Sequence, residues 1–192
     1  MSRATRFALV ALLVSAPVTA RAQLTFEGLS SDPSCCQNVP NGYGGLNWQN
    51  VLLITKNYLP NTGYFYGTNG LNSVFFNCCG TGVLSVSSGT FDFFGGEFTS
   101  AWDATQTVTI NAFFNNVLVG TASAGLNNTS QTFVNTNFVG IDRIELSGSG
   151  SQIDMDDVRL TSTTSTPEPA SLALLATGLL GVGGIVRRRR SA

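Results

Sequence analysis

The 192-residue chain contains no histidine. That absence removes Ser-His-Asp and Cys-His arrangements, histidine zinc sites and the commonest general base at neutral pH. Charge is scarce as well: Asp, Glu, Lys and Arg together make up 11% of the sequence. It is also unevenly spread. Between positions 23 and 166 three bases (Lys56, Arg143, Arg159) face ten acids (Glu27, Asp32, Asp92, Glu97, Asp103, Asp142, Glu145, Asp154, Asp156, Asp157), a net charge of −7 in a chain whose total is −1. A field of that sign repels phosphate backbones, so nucleic acid is not an expected partner and cations are the favoured ionic ones. Long stretches of helical periodicity are missing too.

What periodicity remains is alternation, and alternation predicts strands. In 107–123, Val108, Ile110, Ala112 and Phe114 point one way, Asn115 and Asn116 accept positive φ in a tight turn, and Val117, Val119 and Thr121 return, which predicts a β-hairpin. Further strands are expected at 24–28, 46–55, 64–66, 73–77, 83–87, 91–98, 131–135, 142–147 and 152–160. Short strands between turn residues predict an all-β fold, an antiparallel jelly-roll-like sandwich over residues 23–160. Gly148-Ser149-Gly150 would turn the last two strands, and the doubled acid at 156–157 would bulge the final one. Residues 161–166 are all Ser and Thr and read as a linker.

Both ends of the chain carry processing signals. Arg3 and Arg6, an apolar run over 7–16 and Ala20-Arg21-Ala22 form a signal peptide, 1–22, leaving Gln23 as the first mature residue. At the other end stand Pro167-Glu168-Pro169, an uncharged stretch over 170–186 and Arg187 to Arg190. As a transmembrane helix that stretch would span about 25 Å, the lower limit for a hydrocarbon core. The arginines would lie in the cytoplasm by the positive-inside rule, with residues 1–169 outside. Gly178, Gly181, Gly183 and Gly184 thin its hydrophobicity, as suits a segment meant to be recognised. A plain tail anchor is the alternative.

Pro167, Glu168 and Pro169 followed by a short Leu/Ala/Gly span and the cluster Arg187, Arg188, Arg189 and Arg190 resemble the PEP-CTERM sorting signal of exported Gram-negative bacterial proteins. The resemblance implies handling by an exosortase, a membrane-embedded cysteine transpeptidase. It also implies an inner-membrane sorting intermediate and a destination in the cell envelope or extracellular matrix, among exopolysaccharide and biofilm. It covers the last 26 residues of 192.

Cysteines come as two adjacent pairs, Cys35-Cys36 and Cys78-Cys79. In an exported chain an even count favours disulfides. A bond within an adjacent pair closes an eight-membered ring, so two bridges joining the pairs are expected, 35 to 79 and 36 to 78 or the parallel alternative. The first would close a loop of about 43 residues and contribute about 4 kcal/mol by chain entropy. A four-thiolate zinc site is the alternative, but adjacent cysteines on an extended segment point to opposite faces.

The segment from Val39 to Trp48 (VPNGYGGLNW) is similar to one met in exported jelly-roll proteins bearing this sorting signal. Carbohydrate-binding jelly rolls, which the domain resembles, set a first strand like Thr25-Phe26-Glu27 beside a last strand like Met155-Asp156-Asp157-Val158. That resemblance implies a structural calcium on Glu27 and Asp156, with Asp157 in reserve. The residues themselves equally fit solvated acids that keep strand edges from aggregating. Sugar rings stack on exposed aromatic faces; Tyr43, Tyr64 and Tyr66, in loop or edge contexts, are the candidate glycan contacts, whereas Trp48 and Trp102 fall in strand-like runs and are expected in the core.

Three functional readings follow. The first is a noncatalytic envelope or matrix protein interacting with exopolysaccharide or surface proteins. The second is a lectin-like module with a defined glycan site. The third is a glycoside hydrolase with a carboxylate pair such as Glu97 and Asp103.

Overall fold

The computed structural model describes residues 22–29, 35–78 and 80–162. In chain order the elements are β1 (Ala22–Leu24), β2 (Gln37–Asn38), a 3-10 turn (Tyr43–Gly45), β3 (Asn47–Gln49), β4 (Leu52–Thr55), α1 (Gly63–Gly67), β5 (Asn72–Phe76) and β6 (Gly82–Ser85). The long strands follow: β7 (Phe91–Ser100), β8 (Gln106–Phe114), β9 (Val117–Leu126), β10 (Thr132–Ile141), β11 (Arg143–Gly148) and β12 (Ile153–Ser162). One sheet runs β10-β7-β12-β5-β4-β2 with β1 also on β12, and the other runs β3-β6-β11-β8-β9. All these pairings are antiparallel.

The alternation that predicts the strands also builds the core. Val108, Ile110 and Ala112 of β8, Ile144 and Leu146 of β11, Phe91, Phe93 and Phe98 of β7, and Ile153, Met155 and Val158 of β12 are all buried between the sheets. Each of these side chains larger than alanine contributes about 1.5–3 kcal/mol by leaving water. The hairpin turn is as expected, with Asn115 at φ 51° and Asn116 at φ 63°. Phe114 departs from the pattern: the register shifts after Ala112 and turns Phe114 outward.

Three expected strands are redrawn. The run 46–55 breaks at Asn50, whose φ of 54° sends β3 to one sheet and β4 to the other. Residues 64–66 lie in α1, which docks on the outer face of the first sheet through the Gly63 amide on the Ala101 carbonyl. Here the tyrosine alternation has the period of a strand, but a short helix is what fits over that sheet. The first strand ends at Leu24 rather than continuing through Gly28, because Phe26 (φ 59°) turns the chain and its carbonyl receives the Leu29 amide. Last, β12 takes in Thr161 and Ser162, the first two linker residues; the Thr161 hydroxyl donates to Asp92. The signal peptide before Ala22, the rest of the linker, Pro167 to Pro169, the span 170–186 and the arginines lie outside the described residues. Among the described residues no helix is long and apolar enough to cross a membrane.

Candidate functional site

The acidic cluster of the final strand sits at a seam. β5 pairs with β12 at residues 153–155, and β1 pairs with it at residues 158–160. Asp156 and Asp157 fall between, where neither neighbour supplies a rung. The expected bulge is there: Asp157 has φ 49°, and the β7 register shifts between Asp156 and Arg159. The loop before β5 fills the gap. Asn69 donates its amide to Asp156 Oδ2 at 2.8 Å and its side-chain nitrogen to Asp157 Oδ2 at 2.9 Å. Glu27, just past β1, enters from the other side and accepts the amides of Leu71 and Asn72 on Oε1. Gly70 (φ +105°) makes this approach possible, since a Cβ there would collide with the Glu27 carboxylate.

Thus the structure brings near one another the three acids expected to act together, Glu27, Asp156 and Asp157, although Glu27 stands in the turn after β1 and not on the first strand. Asp156 is fully buried and its pKa is pushed up to about 7, chiefly by burial, with the Asn69 and Asp157 amides opposing and the Asp157 and Glu27 charges adding to the rise. Glu97, opposite Asp156 on β7, is also raised, by burial first and then by Asp157, against the pull of Arg159. Asp154 lies on the same face, fully buried and raised well above the usual carboxylate range by desolvation. Ser73 donates to its Oδ1 at 2.6 Å, while Oδ2 and the nearby Thr99 hydroxyl are buried without a hydrogen-bond partner.

All the donors at the seam are oxygens, the kind calcium prefers. Asn72, whose amide donates to Glu27, leaves its own side-chain Oδ1 buried without a hydrogen-bond partner. As placed, however, no three acidic side chains among the described residues form a group able to hold an ion. Backbone amides occupy the Glu27 and Asp156 carboxylates, and the Asn69 side-chain nitrogen that of Asp157.

The aromatic expectations divide. Tyr43 packs on Phe26 and Trp48, with ring centroids 5.6 and 6.5 Å away, and serves the core edge. Tyr64 is buried in a second small core with Ile54, Phe75 and Ala101, and its hydroxyl is spent on Gln152 at 2.8 Å. Its burial leaves no face open to a sugar. Tyr66 alone of the three is exposed, on α1. Trp48 is in the core as expected, but Trp102 is not: 46% exposed, it stands edge-on to Tyr64 and donates its indole N–H to Gln152 Oε1 at 2.6 Å. The residues after β7 form a bend rather than a strand, so the alternation that predicted burial stops at Ser100. Asn128 donates to the Trp102 carbonyl, and Asp103, the next residue, is held by Ser151.

The cysteine expectation is corrected. Cys35 is bonded to Cys36, with Cα atoms 3.7 Å apart. Cys36 takes a φ of 84° and gives its amide to the Leu53 carbonyl, which swings its side chain back toward Cys35. This bridge closes no long loop, so the 43-residue entropy gain does not apply to it. Cys35 and Cys78 pack against the same small core; Cys79 lies outside the described residues. The proposed hydrolytic pair is not assembled either. Glu97 sits opposite Asp156, while Asp103 accepts both the amide and hydroxyl of Ser151, roughly 16 Å further along the strand direction. Those two bonds hold the Asp103 pKa down.

Residues 165–190 match the family model of the PEP-CTERM protein-sorting motif. The motif marks an exported protein directed to the cell envelope. No curated protein matches the chain. Among solved structures the chain is similar to the CBM22-2 xylan-binding domain of Paenibacillus barcinonensis Xyn10C, at 13% identity and a TM-score of 0.41 over 74% of this chain and 99% of that one. It is also similar to the CBM22-1–GH10 modules of Clostridium thermocellum xylanase 10B complexed with xylohexaose, at 13% identity and 0.39, covering 74% of this chain and 28% of that one. A third similar structure is TmCBM61 in complex with β-1,4-galactotriose, at 11% identity and 0.32, covering 63% of this chain and 93% of that one.

Proposed function

We propose that this is a noncatalytic surface protein, processed by an exosortase and retained in the envelope or matrix, whose sandwich holds polysaccharide. The observation that carries the binding half is Trp102: an exposed indole, fixed by Gln152 and Tyr64 and bordered by the neutral amide of Asn128. A sugar ring gains most from an aromatic plate that is already immobilised, because little side-chain entropy is then lost on binding. Tyr66 is a second contact of the same kind. A secreted form ending at residue 164 should bind a defined set of glycans on an array, and Trp102→Ala should weaken that binding about tenfold or more. Silence across a broad array would remove the polysaccharide reading and leave surface proteins as the partners.

The sorting half has its own test. Replacing Pro167, Glu168 and Pro169 with alanines should leave export intact and trap an unprocessed species in the inner membrane, since the span and the arginines survive. Unchanged distribution and intact mass would reduce the tail to an ordinary anchor.

We also propose that calcium occupies the seam, on Glu27 and Asp156, with Asp157 and Asn72 Oδ1 available beside them. In that role the ion would tie the two termini of the domain together and relieve the crowding of negative charge.

A further inference from the structure

Five large hydrophobic side chains are exposed at one end of the sandwich. Phe114, Val117, Leu118 and Val119 surround the β8–β9 turn and are 42, 63, 53 and 55% exposed, and Val139 of β10 is 63% exposed. The Phe138 ring lies against Gly120, so Val139, on the opposite face of β10 from Phe138, stands at the same end of the sandwich as the turn. The register fixes where this tip stands. Ser162, the last residue of β12, pairs with Phe91; Phe91 pairs with Ile141; and Asp142 donates its amide to the Phe113 carbonyl. The apolar tip therefore lies at the end of the sandwich from which the chain runs on toward its sorting motif.

Charge singles out the same place. Residues 104–141 contain no charged side chain, in a domain that otherwise carries ten acids against three bases. An acidic domain meets least repulsion from an anionic lipid surface through such a stretch, whose nearest acids are Asp142, on the Asn115 amide, and Asp92, on the Gly140 amide. Distance allows it: residues 163–169 reach about 24 Å at full extension before the uncharged segment begins. Behind the tip, a polar cleft of about 390 Å3 lined by Ser85, Ser87, Asn116, Asp142 and Arg143 suits the headgroup layer rather than the acyl chains. Asp142 there is turned to the Asn115 amide, and the Arg143 guanidinium lies over the Phe113 ring at 4.2 Å.

We propose that the β8–β9 tip, with Val139, docks into the outer face of the bilayer that holds the 170–186 segment, so that the domain rests on the lipid surface before processing. This rests on the membrane-spanning reading of that segment. Aliphatic side chains on a rigid turn would settle into the boundary between headgroups and acyl chains, as amphipathic interfacial elements do.

The full chain, reconstituted into vesicles of phosphatidylethanolamine and phosphatidylglycerol, tests this with Leu118→Trp. The two native tryptophans serve as the internal control, because Trp48 is in the core and Trp102 is bonded to Gln152, at the opposite end of β12 from Ser162. A new indole about 5–10 Å into the boundary should emit to the blue and be quenched by brominated acyl chains roughly twofold more than wild type. Val139→Trp should report the same if Leu118→Trp fails to fold. Quenching no greater than wild type in a chain that floats with the vesicles overturns the proposal. Blue emission that brominated lipid leaves unquenched also overturns it and assigns the tip to a second copy of the chain. A full chain that does not float at all defeats the membrane-spanning reading, and the docking with it.

Discussion

The domain should melt at a higher temperature at pH 5 than at pH 8, by on the order of 10 °C, and Asp156→Asn should remove much of the difference. Asp156 has its pKa raised from 3.8 to about 7 in the folded chain. The folded state therefore holds a proton that the unfolded state releases between those values. The stability tied to that proton is fully present below pH 3.8, declines through the interval and is gone above pH 7, amounting to about 4 kcal/mol at most. Asp154, raised for the same main reason, acts in the same direction and accounts for the slope that should remain in the variant. A variant with the wild-type slope would show that Asp156 is ionised throughout. Calcium supplies the complementary measurement. At pH 8 the carboxylate is charged and millimolar calcium should recover the lost stability relative to EDTA, while at pH 5 proton and ion compete and the gain should shrink. Equal melting in calcium and EDTA at pH 8 would remove calcium from the seam.

A second large loss is expected from Gly95→Ala. Gly95 lies in the middle of β7, paired with Asn135 on one side and Arg159 on the other, with φ +116°. An added Cβ would collide with the Val134 carbonyl oxygen. That oxygen belongs to the β10 backbone, so relief requires β10 to leave the β7 ladder. Positive-φ strain and overpacking together should cost about 4 kcal/mol or more. Gly125→Ala, where a Cβ meets nothing within 4 Å, is the matched control and should melt close to wild type. Urea unfolding of both variants decides it: a Gly95→Ala midpoint at the wild-type value would mean that the sheet yields there without cost.

How far the sequence discloses the fold depends on how local each cause is. The hairpin at Asn115-Asn116, the core face of β8 as far as Ala112, that of β12 and the bulge at the doubled acid are written in short-range pattern, and they stand where that pattern puts them. Tyr64 to Tyr66 mislead because two aromatics at spacing two have the period of a strand, whereas the helix there is set by docking on the sheet beneath. The seam could not be read at all from spacing, because it exists only where β5 stops and β1 starts along a common neighbour. The acids were legible as residues, but their burial was not. Trp102 escaped for a similar reason: a run of alternation was extended past the bend that ends it. The pairing of Cys35 with Cys36 depends on a backbone turn at Cys36 that the residue type does not announce.

The course of β12 has a mechanical consequence. This strand lies inside its sheet, with β7 along one side and β5 and β1 along the other, and it is the strand from which the sorting motif follows. Trp102 is fixed to Gln152, the residue just before it begins, roughly 33 Å from Ser162 at its end. Tension between an anchored tail and a captured polymer would therefore run lengthwise down one interior strand. Its ladder bonds would be loaded side by side in shear instead of being unzipped one after another from an edge, so the domain is strung to withstand drag in the direction in which an anchored surface protein would be pulled.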